Sequence, residues 1–201
     1  MDRLFHIVQG CYRHHRNSQR LLYERYYGYA LRISFRYMDS YEEAKQFTND
    51  IFLDILGNFG HFRYDHKSKI EFHLSGWIKT KMIEAIIDDL KGKTDLFRGY
   101  YVPHPFLRDR HPLLPETPAL YGELITAVRE LPPVLRAVFN LHVIDRQPES
   151  EIAEIFGISP KTIASYIQIA RQLCIKPFLP SKNNAGDLQS SNLTGFGDQV
   201  Q

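Results

Sequence analysis

Apolar side chains recur at helical spacing through most of the first 92 positions. In residues 19–38 they fall three or four positions apart, at Leu22, Tyr26, Tyr29, Ile33 and Tyr37, and this spacing marks one face of a helix. A second helix is predicted from Tyr41 to Phe59, after the turn signal Asp39-Ser40, and a third from about Gly76 to Lys91. Between these two helices, residues 60–75 lose the periodicity and are predicted to form a basic, aromatic loop or short helix.

The pattern changes between residues 93 and 120, where five prolines interrupt the chain. Because proline breaks a helix interior and no strand alternation appears, this segment is predicted to be a linker. Helical spacing returns at 121–129 and 134–144, while the small, polar residues near the C-terminus predict a mobile tail. The expected fold is all-α, with two small helical domains, 1–92 and 121–179, joined by the proline-rich linker 93–120 and followed by a flexible tail, 180–201.

A compact helix pair between Pro148 and Cys174 has the pattern of a helix-turn-helix. The predicted helices run from Glu149 to Phe156 and onward from Pro160. At the turn, Gly157 allows a positive φ, Ile158 fills the angle between the helices, and Ser159 can cap the second helix. The buried stripe of that helix is predicted to be Ile163, Ile167, Ala170 and Cys174.

The opposite face of the second helix presents side chains that can contact base edges and phosphates in a major groove. The predicted DNA-binding residues are Lys161, Thr162, Ser165, Tyr166, Gln168 and Arg171. Helix pairs with a glycine corner also occur in helical proteins that never touch DNA, so the motif alone leaves both interpretations open.

Charge adds a second clue, because the net charge of +2 conceals a strong segregation. Residues 38–60 carry five acidic side chains against a single lysine, whereas residues 1–37 and 61–111 are both basic. This arrangement suggests two partner surfaces, one for a polyanion and one for a basic protein. The simpler alternative is a set of solvated helix faces.

Several classes of protein are disfavoured by the sequence. The apolar runs are too short to cross a bilayer and the N-terminus lacks a signal-peptide core, so a cytoplasmic protein without stable membrane insertion is expected. Cys11 and Cys174 have no CxxC spacing, which argues against a disulfide framework or a cysteine zinc site. No specific metal or catalytic motif appears. We therefore expect no catalytic residue, metal or cofactor.

Segments in both halves of the chain resemble domains of one known protein family. Residues 131–173, LPPVLRAVFNLHVIDRQPESEIAEIFGISPKTIASYIQIARQL, resemble the promoter-binding C-terminal domain of bacterial RNA polymerase sigma factors of the sigma-70 family. Residues 21–62 and 77–93 resemble the other domain of that family in the same order. The combination that carries the resemblance comprises Leu131-Pro132, Arg136, Val138-Phe139, Glu151-Ile152-Ala153, Gly157-Ile158-Ser159 and Thr162, with Ala44, Asn49, Phe52, Trp77 and Asp88 upstream. Two domains and one linker are similar to the extracytoplasmic-function (ECF) type.

The resemblance implies a role for each segment. The acidic second helix would bind core RNA polymerase through Asn49, Asp50 and Asp54, and the C-terminal domain would bind the minus-35 element of promoter DNA. The basic loop and the following helix would bind the minus-10 element through Arg63, Tyr64, His66, Lys67, Lys69, Lys79, Lys81 and Lys91. The family also implies an anti-sigma protein as a partner, and a monomer is expected when the protein is free.

Two other classes of function remain open. A stand-alone helix-turn-helix regulator would use its N-terminal helices for dimerisation or effector binding, and it would need its own phosphate contacts. Residues 121–178 carry equal numbers of acidic and basic side chains, so this domain alone is expected to bind DNA weakly. An enzyme or metal protein is the third possibility.

Overall fold

The computed structural model describes residues 3–93 and 118–175. Within these ranges all regular structure is helical and no strand is present, which confirms the all-α prediction. Residues 94–117 of the predicted linker and the whole predicted tail, 180–201, lie outside the described residues. In the described part of the chain, every helix is too short or too polar to cross a membrane.

Four helices form the N-terminal group: α1 (Arg3–Tyr12), α2 (Arg16–Phe35), α3 (Tyr41–Gly57) and α4 (Ile70–Gly92). Helix α2 packs against the other three. Its buried side chains, including Leu22 and Tyr26, meet a core rich in large rings such as Phe52 and Phe59. Burying such rings contributes a few kcal/mol each, so the aromatic content of this segment accounts for its packing.

Two features of this group depart from the sequence prediction. Helix α1 was not predicted, although it buries Leu4, Ile7, Val8 and Cys11 along one face. Helix α4 begins at Ile70 rather than near Gly76, because Ile70 and Leu74 are buried in the core and extend the helix by more than a turn. The segment 60–75, predicted as a loop or short helix, therefore includes the first turns of α4.

Local polar contacts explain where helices begin and how closely they approach. The Ser40 hydroxyl accepts a hydrogen bond from the Glu43 amide at 3.1 Å, and the Glu43 carboxylate accepts one from the Asp39 amide at 2.9 Å, so the start of α3 is capped twice. Between α1 and α2 the chains approach so closely that a Cβ at Gly10 would lie 2.0 Å from the Ser18 hydroxyl oxygen. Glycine is therefore required at this position of α1, where Ser18 of α2 leaves no room for a Cβ.

The C-terminal group comprises α5 (Pro118–Glu130), α6 (Pro133–Phe139), a π-helical segment (Asn140–Ile144), α7 (Glu149–Phe156) and α8 (Pro160–Ile175). Helix α8 packs against α5, α6 and α7. The bounds of α7 and the first residue of α8 agree with the prediction. Helix α5 begins three residues earlier than predicted, and the stretch predicted as one helix over 134–144 changes from α to π geometry at Asn140.

The two groups contact each other through α2 and the turn that follows it. The Arg129 guanidinium stacks 3.6 Å above the Phe35 ring and donates hydrogen bonds to the backbone carbonyl oxygens of Phe35, Met38 and Asp39. Arg136 pairs with the Asp39 carboxylate. These contacts cover the carbonyl end of α2, where backbone acceptors have no partner within the helix.

Candidate nucleic-acid interface

The corner between α7 and α8 has the geometry of a helix-turn-helix. Gly157 ends α7 with φ of 64°, in the left-handed region that favours glycine. The Ser159 hydroxyl accepts a hydrogen bond from the Thr162 amide at 3.1 Å, and Pro160 is the first residue of α8. Each of these turn residues has the local role predicted from the sequence, because capping and φ preferences act within a few residues.

The buried stripe of α8 includes the four predicted positions, Ile163, Ile167, Ala170 and Cys174. Tyr166, however, is only 5% exposed, so its predicted place on the DNA-facing surface is wrong. Because α8 packs against three helices, its buried arc is wider than the stripe of four residues, and it also includes Ile169. Tyr166 is a core residue of this group.

The remaining predicted residues of α8 differ in exposure. Lys161 is exposed near the start of the helix, and Thr162, Ser165, Gln168 and Arg171 are half-buried. The Thr162 and Ser159 hydroxyl oxygens lie 2.8 Å apart, and the Ser165 hydroxyl donates to the Lys161 carbonyl at 3.0 Å. The accessible part of the predicted DNA-facing surface is therefore concentrated in the first two turns of α8.

The basic segment between α3 and α4 is anchored by an aromatic cluster. Phe62 is fully buried, its ring is stacked on Tyr64 with centroids 5.8 Å apart, and it also contacts Trp77. The Tyr12 hydroxyl donates to the Phe62 carbonyl at 2.8 Å. Burial raises the pKa of Tyr12, so this hydroxyl keeps its proton and remains a donor. The segment is thus held against α1 and α4.

Four of the five predicted minus-10 side chains in this segment are exposed, and Tyr64 is half-buried. Arg63 donates to the Phe62 and Gly60 carbonyls, and the Tyr64 hydroxyl accepts from Gln9 at 3.1 Å. The Lys67 ammonium lies 4.2 Å from the centre of the Phe5 ring. Within the described residues, His66 and Lys69 make no side-chain hydrogen bond or ion pair.

The three predicted lysines of α4 all form ion pairs. Lys81 pairs with Glu84 at 2.7 Å, and Lys91 pairs with Asp88 at 3.6 Å, both on the surface of the same helix. Lys79 instead pairs with Asp145 at 3.0 Å, a residue of the C-terminal group. All three lysines were predicted to bind DNA. No local feature of the sequence indicates that Lys79 has a partner 66 positions away.

Helix α3 carries the predicted polymerase-binding residues. Asp50 and Asp54 are exposed, and Leu53 lies between them with 70% of its surface exposed. The Asp54 carboxylate accepts a hydrogen bond from the Asn58 amide at 2.7 Å, whereas Asp50 has no ion pair within the described residues. Asn49 is half-buried, and its side-chain oxygen Oδ1 accepts a hydrogen bond from the Tyr23 hydroxyl at 2.9 Å.

Sequence reasoning missed three prominent residues. Leu53 and Phe72, which is 76% exposed, are large apolar side chains on the surface, and their positions off the apolar stripes were a usable signal. Arg36 is buried beside Asp145 with its Nη2 atom 3.1 Å from the carboxylate oxygen Oδ1. Nothing in the surrounding sequence distinguishes Arg36 from the exposed arginines of α2.

The cysteine and metal chemistry is limited in the part of the chain that the structure describes. Cys11 and Cys174 are both buried free thiols, and burial raises the pKa of each to about 12. No group of three or more potential metal-ligating side chains is brought together within these residues. His61, Asp65, His66 and His73 therefore do not form such a group.

The α7–α8 corner, the cap and the exposed start of α8 define a helix-turn-helix DNA-binding domain. Residues 121–174 match the family model described as sigma-70, region 4. The C-terminal group is therefore similar to region 4 of sigma-70 proteins, and this similarity supports a DNA-binding role of the sigma-factor kind in transcription initiation. No curated protein matches the chain.

Proposed function

We propose that the protein is a sigma factor of the extracytoplasmic-function type, which binds core RNA polymerase and directs it to promoters. The observation that carries this proposal is the region 4 match over a complete helix-turn-helix corner. The protein catalyses no reaction in this role and uses no cofactor. It acts in the cytoplasm, is a monomer when free, and is held inactive by an anti-sigma protein.

The proposed DNA contacts follow from the accessible side chains. Lys161, Thr162 and Ser165 contact the minus-35 element, with Gln168 and Arg171 at the edge of the surface. Cationic and aromatic side chains suit unpaired bases and their phosphates, so the basic segment with Arg63, His66 and the adjacent exposed Phe72 contacts the minus-10 element. The α4 lysines bind neighbouring phosphates once their ion pairs exchange.

The proposed polymerase contact is the exposed surface of α3 formed by Asp50, Leu53 and Asp54. An exposed leucine flanked by carboxylates is suited to a basic partner, because the charges steer association and the apolar side chain gains stability on burial. The N-terminal group, residues 1–92, is the polymerase- and minus-10-binding domain in this proposal, and residues 121–179 are the minus-35-binding domain.

A reconstitution tests this function directly. The purified full chain is mixed with bacterial core RNA polymerase lacking sigma, the complex is isolated by size exclusion, and run-off transcription is measured on fragmented genomic DNA. A sigma factor gives a stoichiometric complex that initiates at discrete sites. Absence of a complex, together with tight DNA binding by the protein alone, would favour a stand-alone regulator.

Charge reversal tests the polymerase contact. Asp50→Arg is expected to weaken the complex by more than about tenfold, because a rim charge of the wrong sign repels a basic partner. Glu123→Arg makes the same charge change at an exposed position of α5 and serves as the matched control. Equal affinities for both variants would contradict the assignment of α3.

A further inference from the structure

One ion cluster joins the two helix groups and involves a lysine that the proposed function places on DNA. The Asp145 side chain is 1% exposed and accepts contacts from three groups of the N-terminal half of the chain. Arg36 Nη2 lies 3.1 Å from both carboxylate oxygens, Lys79 Nζ lies 3.0 Å from Oδ1, and the Tyr37 hydroxyl donates to Oδ2 at 2.6 Å. Burial, and then the negative charge of Asp145, raise the pKa of Tyr37, so the hydroxyl remains a donor.

The cations in this cluster outnumber the carboxylates. A cavity of about 290 Å³ lies between the groups, and its charged lining consists of Arg32, Arg36, Lys79 and Asp145. Arg32 has no ion pair within the described residues, and the buried Nε of Arg36 has no hydrogen-bond acceptor. Three cations facing one carboxylate leave a local excess of positive charge. Such an excess favours the binding of a second anion, or the replacement of the carboxylate by a more strongly bound anion.

We propose that Arg36 and Lys79, with Arg32 beside them, form a binding site for a backbone phosphate of DNA, and that Asp145 occupies this site in the free protein. This inference rests on the proposed function. A carboxylate and a phosphodiester offer similar oxygen acceptors to a guanidinium and an ammonium. Asp145 therefore competes with DNA for the same two cations.

The separation of the two promoter elements prevents the protein from binding both of them while Asp145 remains paired with Arg36 and Lys79. The names of the minus-10 and minus-35 elements place their centres about 25 base pairs apart, or roughly 85 Å of helix axis at 3.4 Å per pair. Helix α4 has 23 residues and spans only about 35 Å, yet it contacts α7 of the helix-turn-helix. Simultaneous binding of both elements requires the groups to separate, which withdraws Asp145 and exposes the Arg36–Lys79 site.

The test measures DNA binding by the full chain without polymerase. The probe is a fluorescein-labelled duplex of about 30 base pairs with arbitrary sequence, titrated at about 50 mM salt, where phosphate contacts dominate the affinity. Asp145→Asn keeps the side-chain shape and removes the competing charge, so affinity is expected to rise five- to tenfold. Glu123→Gln, which changes the net charge equally at an exposed position of the same helix group, is expected to change it less than twofold.

A second variant separates opening from phosphate binding. Arg36→Gln breaks the cluster as Asp145→Asn does, and both are expected to increase the radius of gyration in solution scattering. Arg36→Gln also removes a proposed phosphate ligand, so its affinity for the duplex should not rise. Equal affinities for Asp145→Asn and Glu123→Gln, or a gain of affinity in Arg36→Gln as large as that in Asp145→Asn, would overturn the proposal.

A measurement on the unaltered protein keeps the proposal falsifiable if Asp145→Asn does not fold. The Tyr37 and Met38 amides lie in the turn just after α2 and donate to the Ser34 carbonyl. Hydrogen exchange at these two amides is expected to quicken when the duplex is added. Unchanged protection in a saturated complex would overturn the proposal. Failure to bind core polymerase would instead overturn the proposed function, and none of these DNA measurements uses polymerase.

Discussion

The acidic surface of α3 and the basic surface of the 63–81 segment differ in how they are connected to the fold. Asp50 and Leu53 are exposed, and neither holds another helix in place. On the basic surface, Lys67, Lys79 and Lys81 each contact an aromatic ring or a carboxylate of the same chain. In the proposed function the acidic surface can bind a partner directly, whereas Lys67, Lys79 and Lys81 must first exchange their internal contacts.

The largest expected effect concerns the aromatic anchor of the basic surface. Phe62→Ala removes a fully buried ring and is expected to lower the free energy of unfolding by about 3–5 kcal/mol. The basic segment should lose its position together with the core contact. Denaturant unfolding followed by circular dichroism measures the change. A loss below about 1 kcal/mol would show that the segment is held independently of Phe62.

A smaller effect is expected at the centre of the acidic surface. Leu53→Ala should weaken the complex with core polymerase about tenfold, the equivalent of 1.4 kcal/mol, because an exposed leucine between charges is a typical anchor once buried. Its free energy of unfolding should change by less than about 0.5 kcal/mol. Phe72→Ala is the matched control, since it removes an exposed apolar side chain from the other surface. Equal loss of polymerase affinity in both variants would contradict the prediction.

Within the basic surface, Lys69, whose side chain makes no hydrogen bond or ion pair in the described residues, should matter more than the paired Lys81. Lys69→Gln is expected to reduce the salt dependence of duplex binding by about one unit of slope and the affinity severalfold. Lys81→Gln should have a smaller effect, because binding through Lys81 first breaks its 2.7 Å pair with Glu84. Anisotropy titrations at several salt concentrations measure both quantities. A larger effect for Lys81 would reverse the proposed order.

The smallest effect is expected at the two cysteines, whose thiols should not react while the protein is folded. Burial raises the pKa of Cys11 and Cys174 to about 12, so only about one thiol in ten thousand is ionised at pH 8. Modification by an aromatic disulfide reagent should therefore follow unfolding, and at high reagent concentration its rate should stop increasing with reagent because unfolding limits it. Leu53→Ala should label as slowly as the unaltered protein, while Phe62→Ala should label faster. Rapid labelling of the unaltered protein would contradict the burial of both thiols.

A structural feature could be predicted from the sequence when it depends only on residues that are close together along the chain. The corner at Gly157 and the cap at Ser159 were predictable because both act within one turn of chain. The face of α8 was predicted too broadly, since the burial of Tyr166 depends on the arrangement of three neighbouring helices. The pairing of Asp145 with Lys79 was beyond sequence reasoning, because nothing near either residue specifies a partner in the other group.

Helix α1 is a different case, because its signal was present in the sequence. Leu4, Ile7, Val8 and Cys11 follow helical spacing, and the structure buries all four. The segment was interpreted only as a basic surface, because of its neighbouring arginines and histidines, and the helix was not predicted. The exposed apolar residues Leu53 and Phe72 were also recognisable in the sequence, because both lie outside the buried stripes of α3 and α4.

The contacts of Arg129 with the carbonyl oxygens that end α2 make the two halves of the gene product interdependent. A polypeptide cut after Lys93 would lack this guanidinium, so the Phe35 carbonyl that ends α2 and the Met38 and Asp39 carbonyls of the following turn would exchange their hydrogen bonds with Arg129 for solvent. The first half on its own would thus melt at a lower temperature than the same helices in the intact chain. Dissecting the protein into fragments would consequently understate the stability of each half.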